Sequence, residues 1–438
     1  MEYIKFRGPK NPYAILNDNN KNIVDQTILF TIYCIFYLIS NVNILNSVFY
    51  YTIIMLYFLL PSIQYSIVNH LSIQNNDTDS NEKICYSLGY YLKDIKHQIH
   101  EQGVKWDTVK RYTNPFEYIH TNVPDKKRSV SKYRPLSRSY FKMIEMTLFF
   151  KLLEKREFHS FQSFHLAEGP GGFIEALVHL RHNKTDKYYG MTILNDDNDP
   201  NIPGWKKSQQ FLKDNQNVII ENGKDGTGNI LNIDNFDYCY HKYRSSMDIC
   251  TGDGGFDFSV DFNKQEDNMS SLLFGQIAYA LIMQKYKGSF ILKVFDCFSL
   301  HTIDLCALLC SCYDKVYITK PQTSRYANSE KYIVCKNFQL KNTDTLYLHL
   351  RKQFKILLEK KEQISVKRYL SYHHSSLYMN KMEECNAIFG QQQIENIHYT
   401  LNQISNPSED LDDIIKTNVK KCVQWCNKYN VLTNMITV

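Results

Sequence analysis

The pattern of apolar and polar positions changes character twice along the chain. From Gln26 to Asn69 there is no Asp, Glu, Lys, Arg or His, and two apolar runs, Thr27–Val42 and Ile44–Leu60, are split by an Asn-rich joint at Asn41, Asn43 and Asn46. A spanning helix wants ~20 apolar residues. Each run is slightly short of that and carries Tyr, Asn and Ser. Two readings stay open: a membrane hairpin through residues 27–68, or a pair of buried helices. A secretory signal does not fit, because the basic residues lie far upstream and no small-residue cleavage site follows. The polar stretch Gln74–Glu82 then reads as a solvated linker. It bounds an N-terminal extension over residues 1–80.

From Ile84 the texture is that of an α/β protein. Short β-rich runs occur at Phe164–Ala167, Lys187–Ile193, Met247–Thr251, Ser289–Phe295, Lys315–Thr319 and Lys331–Val334. Between them the pattern predicts helices over Phe173–Leu180, Ser270–Gln284 and Leu300–Cys312. Strands alternating with helices give a mostly parallel sheet covered on both faces. The loop joining the last two strands is too short for a helical crossover, so the expectation is one antiparallel terminal strand. This domain covers residues 84–340. Beyond Asn342 the chain reads as helical and Lys-rich, a C-terminal extension over residues 341–438 without strand signals.

Composition sharpens this only in places. With 438 residues, 43% hydrophobic and 14% aromatic, the chain can bury a large core, which excludes a disordered chain and a small disulfide scaffold. The 12 cysteines are scattered with no CxxC pair, as expected of a reducing compartment such as the cytoplasm. Cys422 and Cys426 lie four apart, but no His or second Cys pair completes a zinc site, so no metal is implied. The net charge is only +6. Its distribution matters more: Lys126–Lys142 holds seven basic residues and no acidic one. A charge run is usually a solvated face, but this one leads into a candidate catalytic lysine, which favours phosphate contact.

Chemistry in such a sheet sits at the carboxyl ends of the strands. The first candidate is the run Glu168, Gly169, Pro170, Gly171, Gly172 and Phe173, just after a strand. Its glycines let the backbone approach a ligand, and Glu168 is placed to accept hydrogen bonds from a ribose or an amino group. Pro170 and the missing GxGxxG spacing exclude the dinucleotide fingerprint. An acidic residue plus Gly-Pro-Gly-Gly points instead to an S-adenosylmethionine loop. Asp253, flanked by glycines, ends another strand. Lys293 lies inside a hydrophobic strand, where an unpaired lysine is costly, so the functional reading outweighs the structural one. Glu330 immediately precedes the last strand, and Lys142 sits on a predicted helix upstream of the glycine loop.

The ordered set Lys142, Asp253, Lys293 and Glu330 resembles the Lys-Asp-Lys-Glu tetrad of FtsJ-like ribose 2′-O-methyltransferases. Finer motifs resemble the cap-specific mRNA (nucleoside-2′-O-)-methyltransferase branch, copies in large cytoplasmic DNA viruses included. These are Asn114-Pro-Phe-Glu117, Asp253-Gly-Gly-Phe followed by Asn263-Lys-Gln-Glu266, and Lys320-Pro-Gln-Thr-Ser-Arg325 running into Glu330. Gly223–Asn229 fills the place of the family's cofactor loop, with Asn229 where the family usually has Asp. The match covers about Arg111 to Phe338. The abundance of Asn, Ile, Lys and Tyr suits an AT-rich genome and favours a viral source.

The resemblance implies a Rossmann-like, S-adenosylmethionine-dependent methyltransferase. It would methylate the 2′-OH of the first transcribed nucleotide of capped mRNA, converting cap 0 to cap 1. A ribose hydroxyl is a poor nucleophile until its proton is removed. Lys293 is the implied general base, oriented by Asp253 and Glu330. The implied cofactor contacts are Glu168–Phe173, Asn229 and Asp253. Lys110, Arg138 and Arg325 are candidate phosphate contacts, and Asn263 and Asn328 cap-side or target-nucleotide contacts. The implied partners are capped RNA and other capping enzymes, with a monomer expected. The implied location is the cytoplasm, host cytoplasm or virion if viral, with membrane association through residues 27–68 left open. Two alternatives stand beside this reading: a ribosomal or transfer RNA ribose methyltransferase sharing the tetrad, and an inactive methyltransferase fold serving as a structural or membrane-anchored protein.

Overall fold

The computed structural model describes residues 55–75, 82–154, 160–194, 204–255, 265–359 and 366–436. The strands in chain order are β1 (Leu56–Leu59), β2 (Leu71–Asn75), β3 (Gln162–Leu166), β4 (Lys187–Met191) and β5 (Val218–Ile220). They continue with β6 (Met247–Gly252), β7 (Gln284–Val294), β8 (Tyr313–Lys320), β9 (Lys331–Phe338) and β10 (Val366–Leu370). The first helices are α1 (Tyr86–Gln102), α2 (Val104–Thr113), α3 (Ser139–Phe149), α4 (Gly172–Arg181) and α5 (Gln209–Asp214). After them come α6 (Ile233–Tyr243), α7 (Gln265–Met283), α8 (Leu300–Cys312), α9 (Asp344–Glu359), α10 (Ser376–Ser405) and α11 (Leu411–Lys428).

Eight strands form the main sheet in the order β1-β8-β9-β7-β6-β3-β4-β5. Strands β3 to β7 are mutually parallel where they pair. Their sequences are apolar on both sides because both faces are covered. Along β7, Phe290 and Leu292 enter one core while Ile291 enters the other. One core packs α6, α7, α8 and α9 on the sheet, and the other packs α3, α4 and α11. The result is the three-layer Rossmann-like arrangement that the alternation of strands and helices implies.

Three expectations need correction. The last strand, β9, is antiparallel as expected, but it lies between β7 and β8 and not at an edge. A second antiparallel strand, β1, pairs with β8 and forms that edge. The run Ile44–Leu60 is therefore not helical at its end, since Leu56–Leu59 is a strand and the Leu60 N–H donates to the Val316 carbonyl at 2.8 Å. Burial accounts for one face of this charge-free strand: Phe58 enters the larger core, while Tyr57 and Leu59 on the other face are exposed. Residues 55–68 of the proposed hairpin thus belong to the globular fold, and residues 27–54 lie outside the described residues. Among the described residues no helix is long and apolar enough to cross a membrane. Finally, the C-terminal extension contains a strand: β10 pairs antiparallel with β2 in a small second sheet.

The compact unit begins at Met55. Phe58, Leu60, Ile67, Val68 and Leu71 are all buried in its larger core. At about 2 kcal/mol for each buried apolar side chain, their loss is comparable with the roughly 5–15 kcal/mol stability of a whole domain. A chain starting at residue 81 should therefore lack a cooperative thermal transition by circular dichroism. A sharp melt at the full-length temperature would contradict this account of β1 and β2.

Candidate active site

Register across four strands builds the site. Leu166 of β3 pairs with Gly252 of β6, Gly252 with Leu292 of β7, and Leu292 with Ile333 of β9. The next residue along each chain lies one level higher. Asp253 follows Gly252, Lys293 follows Leu292, and Tyr332, which pairs directly with Lys293, precedes Ile333. Because β9 runs the other way, Glu330 emerges at the same end of the sheet.

The four tetrad side chains meet there. The Lys293 side-chain nitrogen donates to the Asp253 carbonyl at 2.6 Å and lies 3.3 Å from its carboxylate. Lys142, carried by α3, lies 2.6 Å from Glu330. Their side chains are only 7% and 12% exposed, so an unpaired charge in either place would be costly. Burial lowers the Lys142 pKa against the pull of Glu330. The Glu330 carboxyl is held below its ordinary range: Lys142, Lys293 and the Ser324 hydroxyl outweigh the cost of burial. The Tyr332 hydroxyl donates to Asp253 at 3.2 Å, and the Lys142 ammonium sits 5.8 Å from the centre of the Tyr332 ring. Tyr332 escaped the sequence reading; the strand register, which pairs it with Lys293, is the signal that finds it.

The motifs outside the tetrad hold the loop that delivers Glu330. Arg325 grips Glu117 through two bonds of 3.0 and 2.6 Å, while the Tyr326 N–H donates to Asn114 at 3.1 Å. The buried Lys320 ammonium donates to the Asn328 carbonyl and side chain, both at 2.8 Å, and to the Glu330 carbonyl at 2.7 Å. Glu145, three residues after Lys142 on α3, accepts from the Gln322 N–H at 2.8 Å and the Thr323 N–H at 3.2 Å. Ser324 then donates to Glu330 at 2.7 Å. On the other side, Ser329 donates to Gln265 and the Ser299 N–H donates to Glu266. Glu145 was not singled out in the sequence, although an acid in an otherwise apolar helix marks it.

The β3–α4 turn forms a second, adjoining feature. Glu168 is buried; one carboxylate oxygen accepts the Phe173 N–H at 2.6 Å and the other has no partner among the described residues. Burial and the nearby Asp253 push its pKa well up. Gly171 has a φ of 100°, and a Cβ there would lie 3.1 Å from the Trp205 ring. In the loop ending at Asn229, a Cβ on Gly228 would meet the Thr192 carbonyl oxygen at 2.0 Å. The Asn229 side chain itself accepts the Leu231 N–H at 2.9 Å, which shapes the loop. Two glycine-dependent close approaches beside an orphaned buried carboxylate oxygen make a cradle suited to a ligand with a hydrogen-bond donor.

Residues 135–338 match the family model for FtsJ-like methyltransferases. The chain carries an FtsJ-like methyltransferase domain. It is 27% identical over 268 residues to cap-specific mRNA (nucleoside-2′-O-)-methyltransferase 2 of Drosophila melanogaster, covering 58% of this chain and 37% of that protein. It is 35% identical over 176 residues to cap-specific mRNA (nucleoside-2′-O-)-methyltransferase 1 of Trypanosoma cruzi, covering 39% of this chain and 46% of that one. A probable methyltransferase of African swine fever virus is 28% identical over 281 residues, 57% of this chain and 60% of the viral protein. The chain thus spans less than half the length of the first two relatives.

The RNA-side candidates around the FtsJ-like domain fare unevenly. Arg325 is engaged by Glu117, Asn328 by Lys320, and Lys110 by Asp107. Arg138 donates to the Thr323 carbonyl at 3.2 Å and keeps a buried Nε without a partner among the described residues. Asn263 lies outside the described residues.

Burial pushes the Glu145 carboxyl from its ordinary 4.5 up to about 7, against the hydrogen bonds from Gln322 and Thr323. The folded chain therefore holds that proton more tightly than the unfolded chain. Glu145 weakens folding as pH rises from 4.5 through about 7. Relative to Glu145→Gln, the wild type should lose on the order of 3 kcal/mol across that window and nothing further above it. Urea denaturation of both proteins over a pH series reads this directly, and a pH-independent difference would refute it.

Proposed function

We propose that the chain methylates the ribose 2′-OH of the first transcribed nucleotide of capped mRNA, using S-adenosylmethionine, with Lys293 as general base. The observation that carries this reading is the buried, alternating cluster of Lys142, Glu330, Lys293 and Asp253 beside the Gly171 cradle. The names of the cap-specific relatives support the capped substrate.

Bound S-adenosylmethionine supplies an electrophilic methyl. The cradle residues Glu168–Phe173, with Asn229 and Asp253, would hold it, and the orphaned Glu168 oxygen is a free acceptor for its donors. The work left to the protein is to place the ribose hydroxyl and remove its proton. Lys293 takes that proton at its amine nitrogen. Asp253, reached through the 2.6 Å carbonyl bond and the 3.3 Å carboxylate contact, restricts the lysine's rotamers. The Lys142–Glu330 pair forms the opposite wall and keeps Glu330 ionised. Arg138, whose Nε has no partner among the described residues, is the phosphate candidate that keeps a free donor.

Lys293→Ala should lower transfer by at least about 100-fold, the usual span for a lost general base, while calorimetry shows cofactor binding nearly unchanged. Gly171→Val should do the reverse, because Gly171 is in the left-handed region and close to Trp205. The opposite pattern would mean that the roles are misassigned.

Purified protein should transfer methyl to RNA beginning m7GpppN, with nuclease digestion placing the label on the first nucleotide. Equal transfer to uncapped RNA would overturn the cap assignment in favour of a ribosomal or transfer RNA substrate.

A further inference from the structure

Beside the basic run lies a groove that the tetrad chemistry does not use. It has a volume of about 360 Å³ and lies between α3 and α4, closed by the segment from Tyr429 to Leu432. That size suits a nucleotide. Three rings cluster in its wall: Tyr133 lies 5.0 Å from Tyr140 and 5.2 Å from His179, centre to centre. Tyr133 is 37% exposed, so part of its ring is open to a ligand. The rim is fixed on both sides. The Lys132 N–H donates to the Leu432 carbonyl at 2.8 Å, and the Tyr133 hydroxyl donates to Glu175 of α4 at 2.8 Å.

Lys132 of the basic run lines the groove, and the acid bonded to its wall, Glu175, is buried behind Tyr133. Lys126, Lys127, Arg128, Lys132 and Arg134 are all exposed. None forms an ion pair with another described residue, and no acidic side chain lines the groove. Fixed aromatic faces beside unpaired cations are what single-stranded nucleic acid binds: bases stack and phosphates are neutralised. The groove is also within reach of the site. Tyr140 and Lys142 are two residues apart on α3, so they face opposite sides of one helix, about 10 Å across.

We propose that this groove binds bases of the single-stranded RNA downstream of the methylated nucleotide, stacking them at Tyr133 and at His182, an exposed lining ring 5.3 Å from His179, while the basic rim holds their phosphates. This rests on the RNA reading above and names where the body of that RNA lies. It makes the enzyme sensitive to RNA length and structure, since a duplex cannot offer free base faces.

The test uses the full chain and fluorescence anisotropy with uncapped single-stranded RNA of about 20 and about 3 nucleotides, lengths that do and do not exceed the span of a single-strand site. Tyr133→Ala should weaken binding of the longer RNA by about 10-fold, the loss of one stacked base, with the shorter RNA little affected. Tyr133→Phe, which keeps the ring and loses only the bond to Glu175, should bind as wild type. His182→Glu, at an exposed position where the chain turns left-handed at the end of α4, should reproduce the loss while keeping the wild-type thermal melt. Wild-type affinity for the longer RNA in both Tyr133→Ala and His182→Glu would overturn the groove, as would equal affinity for a blunt duplex of the same length. If capped RNA is methylated and those two variants bind normally, the groove fails and the cap reading stands. If the variants lose binding and the wild type methylates no capped RNA, the groove stands and the cap reading fails.

Discussion

The cost of burying charge organises this molecule. Lys142, Lys320, Glu145, Glu168 and Glu330 all enter the interior at one end of the sheet, where each alone would be prohibitive. They are tolerable because strand register and loop geometry bring partners to them. Lys142 meets Glu330, Lys320 meets three acceptors, and Glu145 meets two main-chain N–H groups. A one-residue slip between β7 and β9 would move Lys293 off its level and turn its side chain to the other face. The paired segments Phe290–Leu292 of β7 and Ile333–Cys335 of β9, apolar on both faces, hold that register against slippage.

The loop from Lys320 to Glu330 shows how the constraint spreads. It carries one tetrad residue, yet three separate elements hold it: Arg325 ties it to Glu117 after α2, Gln322 and Thr323 to Glu145 on α3, and Ser329 to Gln265 at the start of α7. Each tie is to a buried or half-buried polar group, so loosening one leaves another unsatisfied. The loop is thereby held as a preorganised wall, and catalysis by placement depends on such preorganisation. Glu168 stands apart. Its second oxygen has no partner among the described residues, and a buried acceptor kept in that state is most simply a group awaiting a ligand.

Much of this was legible in the sequence, and the misses share a cause. Helix Leu300–Cys312 and the strands bearing Leu166, Gly252 and Lys293 show in apolar runs closed by glycine or polar turns, so periodicity finds them. Lys142, Asp253, Lys293 and Glu330 stand out because a charged residue in an apolar setting is expensive. By contrast, Leu56–Leu59 sits in charge-free sequence that suits an edge strand, a buried helix or a bilayer equally well, and only its pairing with β8 decides. Val366–Leu370 is equally mute: Lys367 and Arg368 make it look like solvated helix. Arg368 in fact pairs with the buried Asp304 of α8, at 2.8 Å through each of two bonds. Tyr332 and Glu145 act through long-range partners, which a linear reading does not contain.

The C-terminal helices show why the family match understates the site. The matched segment ends at Phe338, yet α10 carries two buried amides, Asn386 and Gln393, that reach back to the tetrad end of the sheet. Asn386 donates to the Cys297 carbonyl at 2.8 Å and Gln393 to the Ala327 carbonyl at 3.0 Å. Seven residues apart, the two amides lie two turns from each other on one helix face. One carbonyl belongs to the loop leaving Lys293 and the other to the loop approaching Glu330. A rigid helix bonded to both fixes the separation of the two loops that flank the site, whatever the sheet beneath them does. Further along, Asn418 of α11 donates to the Tyr112 carbonyl at 2.7 Å, just ahead of Asn114 and Glu117. The extension is therefore part of the scaffold that sets the geometry of the tetrad, and the structural unit is larger than the segment that carries it.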